Sequence, residues 1–325
     1  MNLKSILAAS VCVLAALPFA SSAQSIPYPD RPITWVVPFP AGNVTDAFSR
    51  LVAQALTKKL GQSIVVENRT GAGGIIGTQA VANAKPDGYT MLYGSSGPIA
   101  TYVSLYKKLP YVPLQSFVPV NGLAANPLIL VVNASKPYKT VEEFVAYLKK
   151  NPGTVNFGSP GVGTGSHLTG ELFQMATGTT MTHVPYKESG GLYSDLRAGR
   201  IDAIFDFIPV MRPHLNAGTV LALGVSRETR VKSFPNIPTF KEKGYDLVLA
   251  SWSSILMPAG TPVDIVQKMS AAIQEVMKLP EIVKFQEEND QMPLSTLGPN
   301  QLREFIVKET EVYRILVKKS GASVD

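Results

Sequence analysis

Cysteine is nearly absent from this chain: the 325 residues contain one, Cys12, inside an N-terminal segment that reads as a removable export signal. The remainder therefore has no disulfide, no thiol nucleophile and no thiolate metal site. Histidine is almost as scarce, and His167, His183 and His214 share no metal-ligand spacing, so neither a metal nor a cofactor is expected. Basic tracts interleaved with aromatics are also missing. The 30 Lys and Arg exceed the 24 Asp and Glu to give a net charge of +6, but they sit as pairs near helix ends. That argues against nucleic acid as a partner, while a mild positive field still helps a small anion arrive. There is no low-complexity segment and no repeat. After residue 23 no apolar run approaches the ~20 residues a membrane span needs.

What the chain does have begins with Met1 to Ala23: one early cation at Lys4, an apolar run from Ile6 to Ala20, and Ser21, Ser22 and Ala23 where a signal peptidase needs small residues. Cleavage is expected after Ala23. Removing 23 of the 325 residues leaves 302, enough for two domains.

The mature chain is organised around the stretch Ile33 to Leu60. Ile33 to Val37 is a short β-rich run, Pro38 to Thr45 suits neither strand nor helix, and apolar positions 48, 51, 52, 55, 56 and 60 then recur at helical spacing. A strand, loop and helix of this kind leaves the first helical N–H groups unpaired at the carboxyl edge of a sheet, which is a site for an anion. Gly42 lets the backbone come close to a ligand, and Thr45 or Asp46 is placed to cap the helix.

The same pattern returns at Val155 to Gly158, followed by the glycine and hydroxyl loop Ser159 to His167 and a helix from Leu168 to Thr177. Two such loops suggest two α/β domains whose helix starts share one carboxylate. Other glycine loops are less specific. Gly71 and Gly73 lack the third small residue of a dinucleotide loop, because Ile76 stands there. Gly94 to Gly97 lacks the second flanking glycine of a serine-hydrolase elbow, because Pro98 stands there. Leu128 to Val132 and Leu247 to Met257 read as strands. Helical spacing covers Val141 to Leu148 behind a Thr140 cap, Leu192 to Ala198, Pro213 to Ala217, Val263 to Lys278 and Pro299 to Lys319.

A series of short motifs carries a resemblance over nearly the whole mature chain: Tyr28 to Ile33, Pro38 to Asp46, Val65 to Arg69 with Gly71 to Gly74, Pro86 to Thr90, Leu109 to Tyr111, Phe157 to His167, Val184 to Lys187, Asp195 and Leu196 with Ala198 and Gly199, Ala217 and Gly218 before Leu221 to Leu223, and Pro258 to Pro262. In that order they resemble the Bug family, the extracytoplasmic solute-binding receptors of tripartite tricarboxylate transporters. The resemblance implies an α/β, two-lobed periplasmic binding protein of type II, a Venus flytrap with lobes joined by two crossing strands. The first lobe would comprise 24–126 plus 252–325 and the second 127–251, with the runs 128–132 and 247–257 as crossings. It further implies a monomer that captures a small organic carboxylate and delivers it to integral-membrane transporter subunits.

For the first arm of the site the expected residues are Ala41, Gly42, Thr45 and Asp46, with Asp46 capping and orienting Thr45 instead of meeting the anion. For the second they are Ser159, Gly163, Thr164, Gly165, Ser166 and His167. Ser95 and Ser96 are further contacts, Phe39, Tyr186 and Phe207 are apolar walls, and Asp206 is a group for the far end of the ligand. Two departures from the family pattern bear on specificity: Asn43 and Val44 follow Gly42 where more glycine is usual, and Glu188 and Gly191 follow Tyr186 and Lys187 where Gly and Pro are usual. The competing functions are an exported serine hydrolase and a ligand-sensing ectodomain. A hydrolase needs a base beside its serine, and the one adjacent pair, Ser166 and His167, diverges by about 100° on a helix of ~3.6 residues per turn.

Overall fold

A computed structural model of the chain describes residues 28–186 and 189–324, and only the backbone of 189 and 190. The expected signal segment 1–23 with its Cys12, and Lys187 and Glu188, lie outside the described residues.

Strand β1 (Ile33–Val37) is buried at every position but Thr34, as a parallel strand covered on both faces must be. It pairs in parallel with β2 (Ile64–Asn68) on one edge and with β3 (Thr90–Ser95) on the other. Helix α1 (Val44–Leu60) follows β1 and ends at Gly61 in a left-handed cap, and α2 (Ile75–Ala82) follows β2. A π turn over 97–101 leads to the short α3 (Tyr102–Leu105) and α4 (Pro113–Ser116). The chain then enters β4 (Phe117–Asn133).

The next elements are α5 (Val141–Lys150), β5 (Asn156–Ser159), α6 (Gly165–Thr177), β6 (Thr182–Pro185), α7 (Ser189–Arg197), β7 (Ala203–Phe207), α8 (Ile208–Asn216) and β8 (Val220–Val225). As expected, Thr140 caps α5 by accepting from the Glu143 N–H. The chain returns through β9 (Ala250–Pro258), α9 (Val263–Val276), α10 (Pro280–Glu288), β10 (Met292–Pro293) and α11 (Pro299–Ser320).

These elements form two lobes, each a sheet with helices on both faces. The first sheet runs β2-β1-β3-β9-β4 with β10 on the far edge of β4, and the second runs β8-β4-β7-β5-β6. In the first lobe α1, α9 and α10 cover one face around Trp35 and Phe48, while α2 and α11 cover the other around Trp252 and Tyr313. In the second, α5 and α6 enclose a cluster of Phe144, Phe157, Phe173 and Phe205, and α7 and α8 cover the opposite face around Leu192, Leu196 and Met211. Leu168 and Leu172 of α6 also pack into the first-lobe cluster that holds Leu105 and α11, so the lobes touch along this side.

Two passages of chain join the lobes. β4 belongs to both sheets: 117–127 pairs with β9, and 128–133 pairs with β7 and β8. The sequence shows only its aliphatic end as a strand, because Pro119, Asn121, Gly122 and Pro127 break the earlier part and two register shifts interrupt its pairing with β9. The second passage enters β9 from Leu249. Buried Ser226 ties the two together, its hydroxyl accepting from Leu128 N at 2.9 Å and donating to Leu249 O at 2.6 Å. Two of the longer helices differ from expectation: the sequence reading has no α10 (Pro280–Glu288), and α8 is displaced. α8 begins at Ile208 behind Phe207, and Pro213, which reads as a helix start, lies inside it.

Candidate functional site

The loop after β1 turns at Gly42, whose φ of +82° a residue with a side chain adopts with strain. Asn43, and neither Thr45 nor Asp46, is the N-cap of α1: its Oδ1 accepts from Asp46 N at 2.8 Å. Asp46 is the third residue of the helix, past the cap, and instead fastens the loop. Its Oδ2 accepts from Gly42 N at 2.9 Å and Arg50 Nε at 3.1 Å, and its Oδ1 accepts from Asn68 Nδ2 at 3.0 Å. Asn68 also donates to Phe39 O at 3.1 Å. Burial alone would raise the Asp46 carboxyl, but these donors hold it below the usual range. Among the described residues, the N–H groups of Val44 and Thr45 have no partner.

The loop after β5 is built alike. Thr164 is the N-cap of α6, accepting from His167 N through Oγ1 and donating to Gly161 O at 2.8 Å. Gly163, at φ +75°, sits where a Cβ would fall 2.2 Å from Leu105 of the first lobe. Its N–H donates to His167 Nδ1 at 3.0 Å. The N–H groups of Gly165 and Ser166 are without a partner among the described residues.

Both helix starts open onto one cavity of about 410 Å³, between the lobes and within the range of small-molecule sites. Of the expected residues, Phe39, Thr45, Ser95, Ser96, Gly163, Thr164, Gly165 and Phe207 are on its wall. Ser95 Oγ is buried with no partner, and Ser96 shares a 3.0 Å hydrogen bond with Ser251.

The others are turned to internal bonds. Ala41 and Gly42 shape the first loop from outside the wall. The Ser166 hydroxyl donates to Phe205 O, and Ser159 Oγ lies 2.6 Å from His183 Nε2. His167 stacks on His183 at 3.9 Å between ring centroids and faces Glu171. Burial, and then the neighbouring His167, push the His183 imidazole down to about 4. Tyr186 donates to Asp195 Oδ2 at 2.7 Å; burial and that carboxylate push its phenol up to about 12. Asp206 accepts from Tyr193 at 2.9 Å and from Phe207 N at 2.7 Å, and burial pushes it up to about 6 despite those donors.

The wall also contains residues that the sequence reading did not assign to the site. Asn43 and Val44 were singled out as departures and do face the cavity; an Asn directly before a helical run is itself a cap signal. Tyr93, Tyr102, Asn126, Ser251, Trp252 and Tyr313 come from strands and helices whose spacing signals only core. Asn289, Asp290 and Gln291 join from the turn after α10, far along the chain from either loop. Among the described residues there is no cluster able to hold a metal ion, and no helix is long and apolar enough to cross a membrane.

Residues 48–322 match the family described as the tripartite tricarboxylate transporter family receptor. The chain belongs to that family. Protein BugT of Bordetella pertussis is 35% identical over the whole length of both chains. A solved structure described as a periplasmic transporter is 37% identical with a TM-score of 0.79, covering 92% of this chain and 100% of its own. An R. palustris protein solved with adipate is 32% identical with a TM-score of 0.79, covering 91% and 99%. MatC of Rhodopseudomonas palustris, solved with bound malate, is 30% identical with a TM-score of 0.75, covering 89% and 100%. As a receptor of this family the chain has the two-lobed periplasmic-binding-protein fold and the family's solute-binding role.

Proposed function

We propose that this receptor is exported, takes one small organic carboxylate into the cavity between its lobes, and presents it to integral-membrane transporter subunits as a monomer. In this reading the lobes divide as 24–126 plus 252–325 and 127–251, and the carboxylate is held by main chain. The observation that carries it is the pair of helix starts on one cavity. Val44 and Thr45 N–H on one side and Gly165 and Ser166 N–H on the other have no partner among the described residues, and no Lys, Arg or His is among the described residues of the wall. Helix N-termini attract anions, and a cavity closed to water strengthens such bonds. Similar proteins hold adipate and malate. The test is a thermal-shift screen with organic acids, joined to small-angle scattering. A raised melting temperature and a smaller radius with one or a few acids support the proposal; a flat response across a broad panel contradicts it.

A hydrolase reading has one observation in its favour, the 2.6 Å contact of Ser159 with His183. Ser159 is fully buried and off the cavity wall, and a histidine titrating near 4 is a weak base at neutral pH. A p-nitrophenyl ester assay separates the two, with no turnover above buffer expected.

A further inference from the structure

We propose that His167 is a positioning residue for the carboxylate site and makes capture acid-sensitive: with Nδ1 bare it holds the Gly163 turn that aims the first amides of α6, and a proton on Nδ1 releases the turn and the ligand. The inference rests on the reading that the cavity binds a carboxylate at its helix starts, and goes further by naming what regulates one of them.

His167 is the third residue of α6, buried and off the cavity wall. Its Nδ1 accepts from Gly163 N at 3.0 Å. An imidazole nitrogen that accepts carries no proton, so the ring is neutral with its hydrogen on Nε2, which faces Glu171 Oε1 at 3.5 Å. Gly163 stands directly before the Thr164 cap, is on the cavity wall, and packs on Leu105 of the first lobe. Behind the same loop, Ser159 Oγ lies 2.6 Å from His183 Nε2 and 3.0 Å from Gly161 O, and Thr164 Oγ1 donates to that carbonyl at 2.8 Å. The turn is thus fixed from behind by two histidines. Of these, His167 holds the residue that reaches the ligand's cavity.

Among the described residues, the titratable groups facing His167 are Glu171 of its own helix and His183 of β6, whose ring stacks on it. From β5 it meets Phe157, 6.2 Å away between ring centroids. β7 meets α6 through Phe205, and its acid Asp206 is engaged by Tyr193 and Phe207 N. α5 meets α6 through Phe144 against Phe173, and α3 and α11 meet it in the apolar cluster that holds Leu168. Burial and His167 hold His183 down at about 4, so it stays neutral in mild acid, and two charged rings stacked this closely would repel. The proton that matters is therefore the one on His167, with Glu171 as its counter-ion. Once protonated, Nδ1 faces the Gly163 N–H donor to donor in a buried place, and only movement of the turn separates them. The new cation also attracts the ligand's carboxylate, but it is off the wall with Glu171 at its other nitrogen. The bond that is lost belongs to the binding loop itself, so the loss prevails.

The experiment is calorimetric titration of the full mature protein, His167→Phe and His167→Asn at pH 8 and pH 5.5 with adipate, malate and benzoate. If none of these binds, the acid of largest thermal shift in the organic-acid screen serves. Phenylalanine keeps a ring against His183 and lacks the acceptor; asparagine loses the ring but puts Oδ1 where Nδ1 stands, and it does not titrate. At pH 8, His167→Phe should bind at least tenfold weaker than the native protein, and His167→Asn should recover at least threefold of that loss. Between pH 8 and pH 5.5 the native protein should lose at least threefold more affinity than His167→Asn. Ionisation of the added acid and of Asp206 is common to both proteins and cancels from that comparison. Tighter binding by His167→Phe than by His167→Asn is the mark of packing alone and overturns the inference. An equal pH dependence in the native protein and His167→Asn, or a native affinity that rises in acid, does the same. Should a variant not fold, ¹⁵N spectra of the native protein labelled in histidine and glycine decide: Nδ1 of His167 should be bare at pH 8, and the Gly163 amide should move in step with its protonation. An amide that ignores that step overturns the inference and leaves carboxylate capture standing. Failure of every acid in the screen removes both the inference and the function beneath it.

Discussion

Three side chains hold the frame around the site, and each has a measurable consequence. Asn43 caps α1, so Asn43→Ala should lower stability by about 1 kcal/mol in urea denaturation. It should also weaken ligand binding, because Val44 and Thr45 lose the turn that aims their N–H groups. Asp46 accepts from Gly42 N, Arg50 Nε and Asn68 Nδ2 at once, so Asp46→Ala removes three hydrogen bonds that fasten the loop to its helix and to β2. A loss of about 1–3 kcal/mol is expected by the same measurement. Asp206 works in the opposite sense. Its carboxyl titrates near 4 when unfolded and about 6 when folded, so the folded state holds the extra proton between those values. Its contribution to stability is complete below about pH 4 and is lost as pH rises through about 6. Asp206→Asn should remove that fall, on the order of 2 kcal/mol, when denaturation curves at pH 4 and pH 7.5 are compared.

At the scale of elements, the site consists of two copies of one device: a strand end, a glycine turn, a side-chain cap and a helix with two free amides. Gly163 links the second copy to the opposite lobe. Gly163→Ala places a methyl against Leu105 in a backbone conformation that disfavours it. Because that contact joins the lobes, affinity measured by calorimetry should fall tenfold or more, while the melting temperature of the unliganded protein moves less. This device was legible in the sequence because it is local. Strand, turn and helix lie within some thirty consecutive residues, and Pro38 to Thr45 and Ser159 to Thr164 show their chemistry directly. What was hidden is non-local. Asp206 and Tyr186 end apolar strands and look aimed at a cleft, yet Tyr193 and Asp195 engage them. Asn289 to Gln291 carry no motif at all, and only the return of the chain through α10 brings them to the wall. The early half of β4 escaped for a related reason, since proline and glycine conceal a strand that two register shifts accommodate.

For the molecule as a whole, binding depends on how the lobes meet. They touch on one side through Leu105, Leu168 and α11, and on another through Asp290 with Arg212 and Ser233 and the exposed pair Glu287 and Lys232. The second contact joins a buried carboxylate to a half-buried guanidinium, and such a pair matters most when one member is lost. Arg212→Met should enlarge the radius of gyration of the unliganded protein in small-angle scattering and lower its stability by about 1–3 kcal/mol. A ligand can close the lobes only through contacts present in the closed form and absent from the open one. In the proposed function the amides of both helices would be such contacts, since each lobe supplies half of them.

The most direct measurement is therefore of those amides. In ¹⁵N-resolved NMR spectra of the labelled protein titrated with a bound acid, Val44, Thr45, Gly165 and Ser166 should all shift downfield with one shared saturation curve. Saturable binding that leaves the amides of either helix start unmoved would contradict the account.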